Sequence, residues 1–288
     1  MKKYGIVVDS TLNLSQDLID KYNIKVANLT VAIDNVLQPQ DITNTVVLKA
    51  LAKGINVKTS QPSPDDFRQK YLDFLNNGYD EVLSITMSST LSGTFNSANL
   101  AVDLLDEELQ DKVHVFDTES VTMGAMYYAE LAIKLLYEEK INMVQTIKHL
   151  TKAKDQGHLV FVVDDLGTIY RQGRLGRIKY ILGSILKVKP ILVFQRNVLD
   201  IASRSARGFK GAFKFIENRI SNFIAENPNK KYLAWLAYVD REGDARNLFD
   251  QIEQAFPKVS LRWAGFASHV IGAHIGPGGM GIYLAYED

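Results

Sequence analysis

The segment ITMSSTLSGTFNSANL, residues 85–100, joins two periodicities. It is entered by DEVLSITM (80–87), an apolar run that reads as a buried strand. It leaves as GTFNSANLAVDLL (93–105), apolar at helical spacing. Between them stand Ser88, Ser89, Thr90, Ser92 and Thr94, five hydroxyls in seven residues, with one glycine, Gly93. In an open α/β sheet, ligands bind outside the carboxyl ends of the strands, which is where such a corner lies. The first amides of the following helix lack internal partners and sit at its positive end, so the corner suits an anion. Turn chemistry and N-capping alone also recruit Ser and Thr.

The same alternation runs outward in both directions. YGIVVD, KVHVFD and HLVFVVDD read as buried strands. SQDLIDKYN reads as a helix capped by Ser15, and Ser63 with Pro64 opens another that stops at Gly78. Two helices are expected over about 122–138 and 142–153. Buried strands separated by helices predict an α/β fold whose N-terminal domain, residues 1–158, has a mostly parallel sheet covered by helices on both faces. From 159 to 288 the pattern is that of a mixed α+β domain. It holds a hairpin turning at Arg196–Asn197, long helices over about 206–225 and 242–256, and the strands KYLAWLAYV, VSLRWAGF and GIYLAYE.

Composition narrows the chemistry. The 288 residues carry 33 Lys+Arg and 33 Asp+Glu, so no global field marks a nucleic-acid binder. There is no cysteine, which excludes disulfides, thiolate catalysis and cysteine metal sites. No run approaches the ~20 apolar residues of a membrane span, and YGIVV is too short for a signal sequence. The expected location is cytoplasmic, with peripheral contact at the inner membrane face. GPGGMG (276–281) fits G-x-G-x-x-G literally, but a strand follows it where a dinucleotide site needs a helix. P-loop, H-E-x-x-H and G-x-S-x-G patterns are absent, as is metal-like spacing of His and carboxylates. His114 and His158 lie in apolar strands and read as core or edge residues; His149 lies on a charged helix face. The corner also contains no Lys or Arg, which a phosphate would ordinarily recruit, whereas hydroxyls, amides and one His can hold a carboxylate.

Taken in order, VVDSTLNLSQDLIDKYNI, KTSQPSP, SSTLSGTFNSA, VFDT, FVVDDL, GRI with LKVKPIL, and AHIGPGG resemble the DegV family, the fatty-acid-binding proteins that include the FakB carriers. The resemblance covers nearly the whole chain. It implies a lipid carrier with no catalytic residues and no cofactor, binding one long-chain fatty acid such as palmitate in a buried tunnel between or beside the domains. It further implies presentation of that acid to a fatty acid kinase, which makes the acyl phosphate for phospholipid synthesis. The family's carboxylate-binding Thr falls on Thr59 and its Ser on Ser92, with the amide of Gly93 beside it. The family's glycine-motif His falls on His274. The partner-facing arginines fall on Arg174 and Arg207. Departures are Gln172 for the first glycine of the "GGR" motif, Thr90 for the glycine of "SSGLSG", and Ser63 where some carriers have Ala.

The basic residues Arg171, Arg174, Arg177, Lys179, Lys187 and Lys189 flank the apolar YILGSIL. They form either a solvated amphipathic helix or a lid that touches an anionic membrane surface transiently. Two other readings stand beside the carrier. One is a serine hydrolase using Ser92 with His274, with Asp9 or Asp117 as the orienting carboxylate. The other is a domain that takes a phosphorylated small molecule at the corner.

Overall fold

The computed structural model describes residues 2–164, 166–175, 189–203 and 208–287. In chain order its elements begin with β1 (Tyr4–Asp9), α1 (Gln16–Tyr22), β2 (Lys25–Ala27), β3 (Thr30–Ile33), β4 (Val36–Leu37), α2 (Asn44–Ala52), β5 (Val57–Ser60), α3 (Pro64–Asn76), β6 (Glu81–Thr86), α4 (Thr94–Asp103), α5 (Glu107–Gln110) and β7 (Val113–Asp117). They continue with α6 (Met123–Ile133), a π turn (Lys134–Glu138), α7 (Met143–Ala153), β8 (Gly157–Val162), α8 (Gly167–Arg171), β9 (Ile191–Gln195), β10 (Val198–Ser203), α9 (Gly208–Glu226), β11 (Lys231–Tyr238), α10 (Glu242–Ala255), β12 (Val259–Phe266), α11 (His269–Ile275) and β13 (Met280–Glu287).

The chain divides into two compact units. The first comprises 1–30 and 59–154 and is built on an all-parallel sheet in the order β2-β1-β6-β7. All six residues of β1 are buried, as expected of a strand covered on both faces. Val7, Val82 and Val113 pack with Phe67, Tyr71 and Phe74 of α3 and Ala98 and Ala101 of α4. Residues of the opposite parity, Ile6, Val8, Leu83 and Ile85, are equally buried. Helix α6 packs on β6 and is buried around nearly its whole circumference, because Gly124, Ala125, Ala129 and Ala132 leave no polar stripe. The caps read from sequence hold: Ser15 Oγ accepts the Leu18 amide and Ser63 Oγ the Asp66 amide.

The second unit comprises 31–58 and 155–288. Its six-stranded sheet runs β10-β9-β8-β13-β11-β12 and is antiparallel except for β11 with β12. Ile216, Ile220 and Phe223 of α9 and Leu248 and Ile252 of α10 join Val160, Ala234, Leu236 and Ile282 in its core. Arg196 and Asn197 both take left-handed φ, 49° and 64°, in the two-residue hairpin.

Two features differ from the sequence reading. The expected boundary at 158/159 falls inside β8, whose partners are β9 and β13. Moreover, residues 31–58 group with the second unit. This excursion is held by Asn44, whose Nδ2 donates to the carbonyls of Val239 (3.1 Å) and Ala267 (2.8 Å), and α2 packs on α11. Both are contacts distant in sequence, which local periodicity does not carry. The strand-like run KVANLTVAID (25–34) forms β2 and β3, whereas the two-residue β4 and the seven-residue α11 were not anticipated.

Candidate functional site

The hydroxyl corner lies at the carboxyl edge of the parallel sheet, between β6 and α4. Two strand-end carboxylates pin its backbone. Asp9 Oδ2 accepts the Met87 amide at 2.6 Å, while its Oδ1 takes the amide (2.9 Å) and hydroxyl (2.5 Å) of Thr11. Asp117 accepts the amides of Ser89 (3.3 Å) and Glu119 (2.8 Å). Ser88 N donates to the Ser120 carbonyl at 2.7 Å, tying the corner to the loop after β7. Asp9 is fully buried; burial pushes its carboxyl up to about 6 against the pull of those hydrogen bonds.

Ser92 Oγ lies 2.9 Å from Thr94 Oγ1 and receives the Thr94 amide at 3.3 Å. Ser92 and Gly93 are half-buried, while Ser89 and Thr90 are exposed. Thr90 hydrogen-bonds Ser88 through its hydroxyl, at 2.9 Å, and does not take a left-handed φ. The position therefore does not require glycine's conformational freedom.

Thr59 is half-buried in β5, in the same unit as Ser92 and Gly93. The segment that carries it reaches the corner through Gln61. A Cβ on Gly93 would come within 2.3 Å of Gln61 Oε1, so only glycine lets that amide lie against the turn. Gln61 Nε2 donates to Ser97 Oγ at 3.0 Å. Thr59, Ser92 and Gly93 thus belong to one unit, with their segments joined by Gln61. Gln61 stands inside the KTSQPSP stretch, where nothing in the sequence marks its partner.

His274 and Arg174 belong to the second unit. His274 lies near the end of α11. Burial, with the nearby positive charge of Arg174, lowers it to about 4, so the ring is neutral at pH 7. Arg174 is exposed and donates from Nη1 to the Gln172 carbonyl at 2.6 Å. Gln172, in the place of the family glycine, donates from Nε2 to the Val57 carbonyl in β5 at 3.0 Å. Arg207 and most of the basic lid stretch (176–188) lie outside the described residues. The glycine loop after α11 is crowded by protein: a Cβ on Gly278, at φ +70°, would meet Asp164 Oδ1 at 2.1 Å. Asp164 in turn pairs with Lys189 and, at 2.6 Å, with Arg241. Those glycines therefore serve close packing of another segment.

Among the described residues no group of His, Asp or Glu could hold a metal ion, and no helix is long and apolar enough to cross a membrane.

A family model described as "Uncharacterised protein, DegV family" matches residues 3–287. The chain belongs to the DegV family. A DegV domain-containing protein of Listeria monocytogenes is 30% identical over 285 residues, 98% of each chain. A Thermus thermophilus DegV family protein, described by its fatty acid binding, superposes with a TM-score of 0.88 at 29% identity over 99% of this chain and all of that one. DegV of Bacillus subtilis, described as a fatty acid binding protein, gives 0.86 at 26% identity with both chains fully covered. The Thermus thermophilus and Bacillus subtilis proteins are both described by fatty acid binding, and the comparisons give the hydrolase reading no support.

Proposed function

We propose that this DegV chain carries a long-chain fatty acid in a buried tunnel, its carboxylate held by Thr59, Ser92 and the Gly93 amide. The supporting observation is the whole-length likeness to the Thermus thermophilus protein described by its fatty acid binding. The physical case follows from the two ends of such a ligand. Burying some 14 methylenes is worth about 11 kcal/mol gross at roughly 0.8 each, much of it offset by association costs. Desolvating the carboxylate costs several kcal/mol, which charge-assisted hydrogen bonds of about 1.5–3 kcal/mol each roughly offset. The tail supplies affinity and the hydroxyls set direction. His274 enters the reading only through the family resemblance.

Mass spectrometry of a solvent extract of purified protein tests the reading; a co-purified long-chain fatty acid is expected. A chain that neither carries nor takes up palmitate, but binds a sugar phosphate, would overturn it. Presentation to a fatty acid kinase through Arg174 and Arg207, with transient contact at an anionic membrane surface, is the further part of the proposal. Arg174→Ala is expected to slow acyl phosphate formation by an added kinase while leaving palmitate binding intact. Liposome binding should rise with anionic lipid content.

A further inference from the structure

Gln61 is an exposed side chain held in one place. Its amide lies flat on Gly93 and donates to Ser97, which is 2% exposed in the first turn of α4. Fixing a free glutamine sacrifices rotamer freedom, so an exposed glutamine gains little by docking on a helix turn unless the docking positions something. Only Ser60 separates it from Thr59, and the buried Pro62 fixes the chain on its other side. The turn it grips begins at Gly93, directly after Ser92, and Ser97 N donates to the Gly93 carbonyl at 2.9 Å.

We infer that Gln61 is a positioning residue for the carboxylate site: its amide clasps the first turn of α4 and so sets the spacing between Thr59 and Ser92. The inference rests on the proposed fatty acid reading. It explains why position 93 is glycine beyond the exposure of its amide, since a side chain there would displace the clasp. It also explains why a buried serine, Ser97, occupies the helix face beneath.

The test compares palmitate with hexadecan-1-ol, which shares the tail but lacks the carboxylate. Gln61→Met keeps the length and removes the amide; Ser97→Ala removes the acceptor. Each is expected to weaken palmitate binding about three- to tenfold, the worth of one hydrogen bond, while hexadecanol binding is unchanged. The double variant should be no worse than either single one, because both remove the same contact. Equal losses for acid and alcohol, or additive losses in the double variant, would overturn the clasp, as would unchanged palmitate binding. Should the unsubstituted chain bind neither ligand, the fatty acid reading itself fails, a result distinct from those three. Circular dichroism melts of both variants separate a folding defect from a headgroup effect.

Discussion

Ser92 and Thr59 carry the residue-scale consequence of the carrier reading. With both hydroxyls removed, a buried carboxylate loses two donors at once. The Thr59→Ala/Ser92→Ala pair is therefore expected to lower palmitate retention through gel filtration by at least about tenfold. Unchanged retention would remove the headgroup assignment. Two buried imidazoles make a second expectation. Burial, with the positive charge of Arg219, lowers His158 to about 3, and Arg219 Nε donates to its Nε2 at 3.1 Å. His274 is lowered to about 4 by burial and Arg174. In the unfolded chain both titrate near 6.5, so between that pH and their folded values the unfolded state holds more protons. Stability is then fully present above about pH 6.5 and withdraws as pH falls, by on the order of 3 kcal/mol for each ring. Asp9, raised to about 6, acts in the opposite sense, favouring the fold as pH falls from 6 towards 4. His158→Gln keeps an acceptor for Arg219 and should flatten the acid limb of urea midpoints measured from pH 7 to 4. An unaltered slope would refute the assignment.

At the scale of elements, what could be read from sequence was what local chemistry fixes. The strand–corner–helix at 80–105, the capped start at Ser63–Pro64 and the Arg196–Asn197 turn each follow from neighbouring residues, and each lies where periodicity put it. Helix α11 is only seven residues long, and β4 only two, too short for a period to register. Gln61 and Asn44 escaped for another reason: their roles arise from partners brought near only by folding, at Ser97 and at Val239 and Ala267. A polar residue beside a motif is the sole hint a sequence offers of such a contact. Asn44→Ala should leave two carbonyls without their side-chain donor and destabilise the fold by about 2–3 kcal/mol. Faster amide exchange confined to α2 and α11 would show the excursion loosening first; uniform exchange across the sheet would count against this anchor.

For the whole molecule, ligand linkage gives the broadest expectation. A chain that binds fatty acid only when folded gains about 2.7 kcal/mol at a free concentration of a hundred times Kd, so delipidated protein should melt lower and recover on adding palmitate. Thr59, Ser92 and Gly93 lie in one unit, while His274 and Arg174 lie in the other. That division was invisible in the sequence, because the chain leaves its first unit after Thr30 and returns at Thr59.

That excursion has a consequence for anyone wishing to dissect the protein. A fragment ending at Lys154 would retain residues 31–58 but lack α11 and the carbonyls of Val239 and Ala267 that anchor them. Helix α2, which packs on α11 in the intact chain, would lose that cover, and the half-molecule should clump on expression. Replacing 31–58 by a short flexible bridge is the cut that gives the amino-terminal half its best prospect of standing alone.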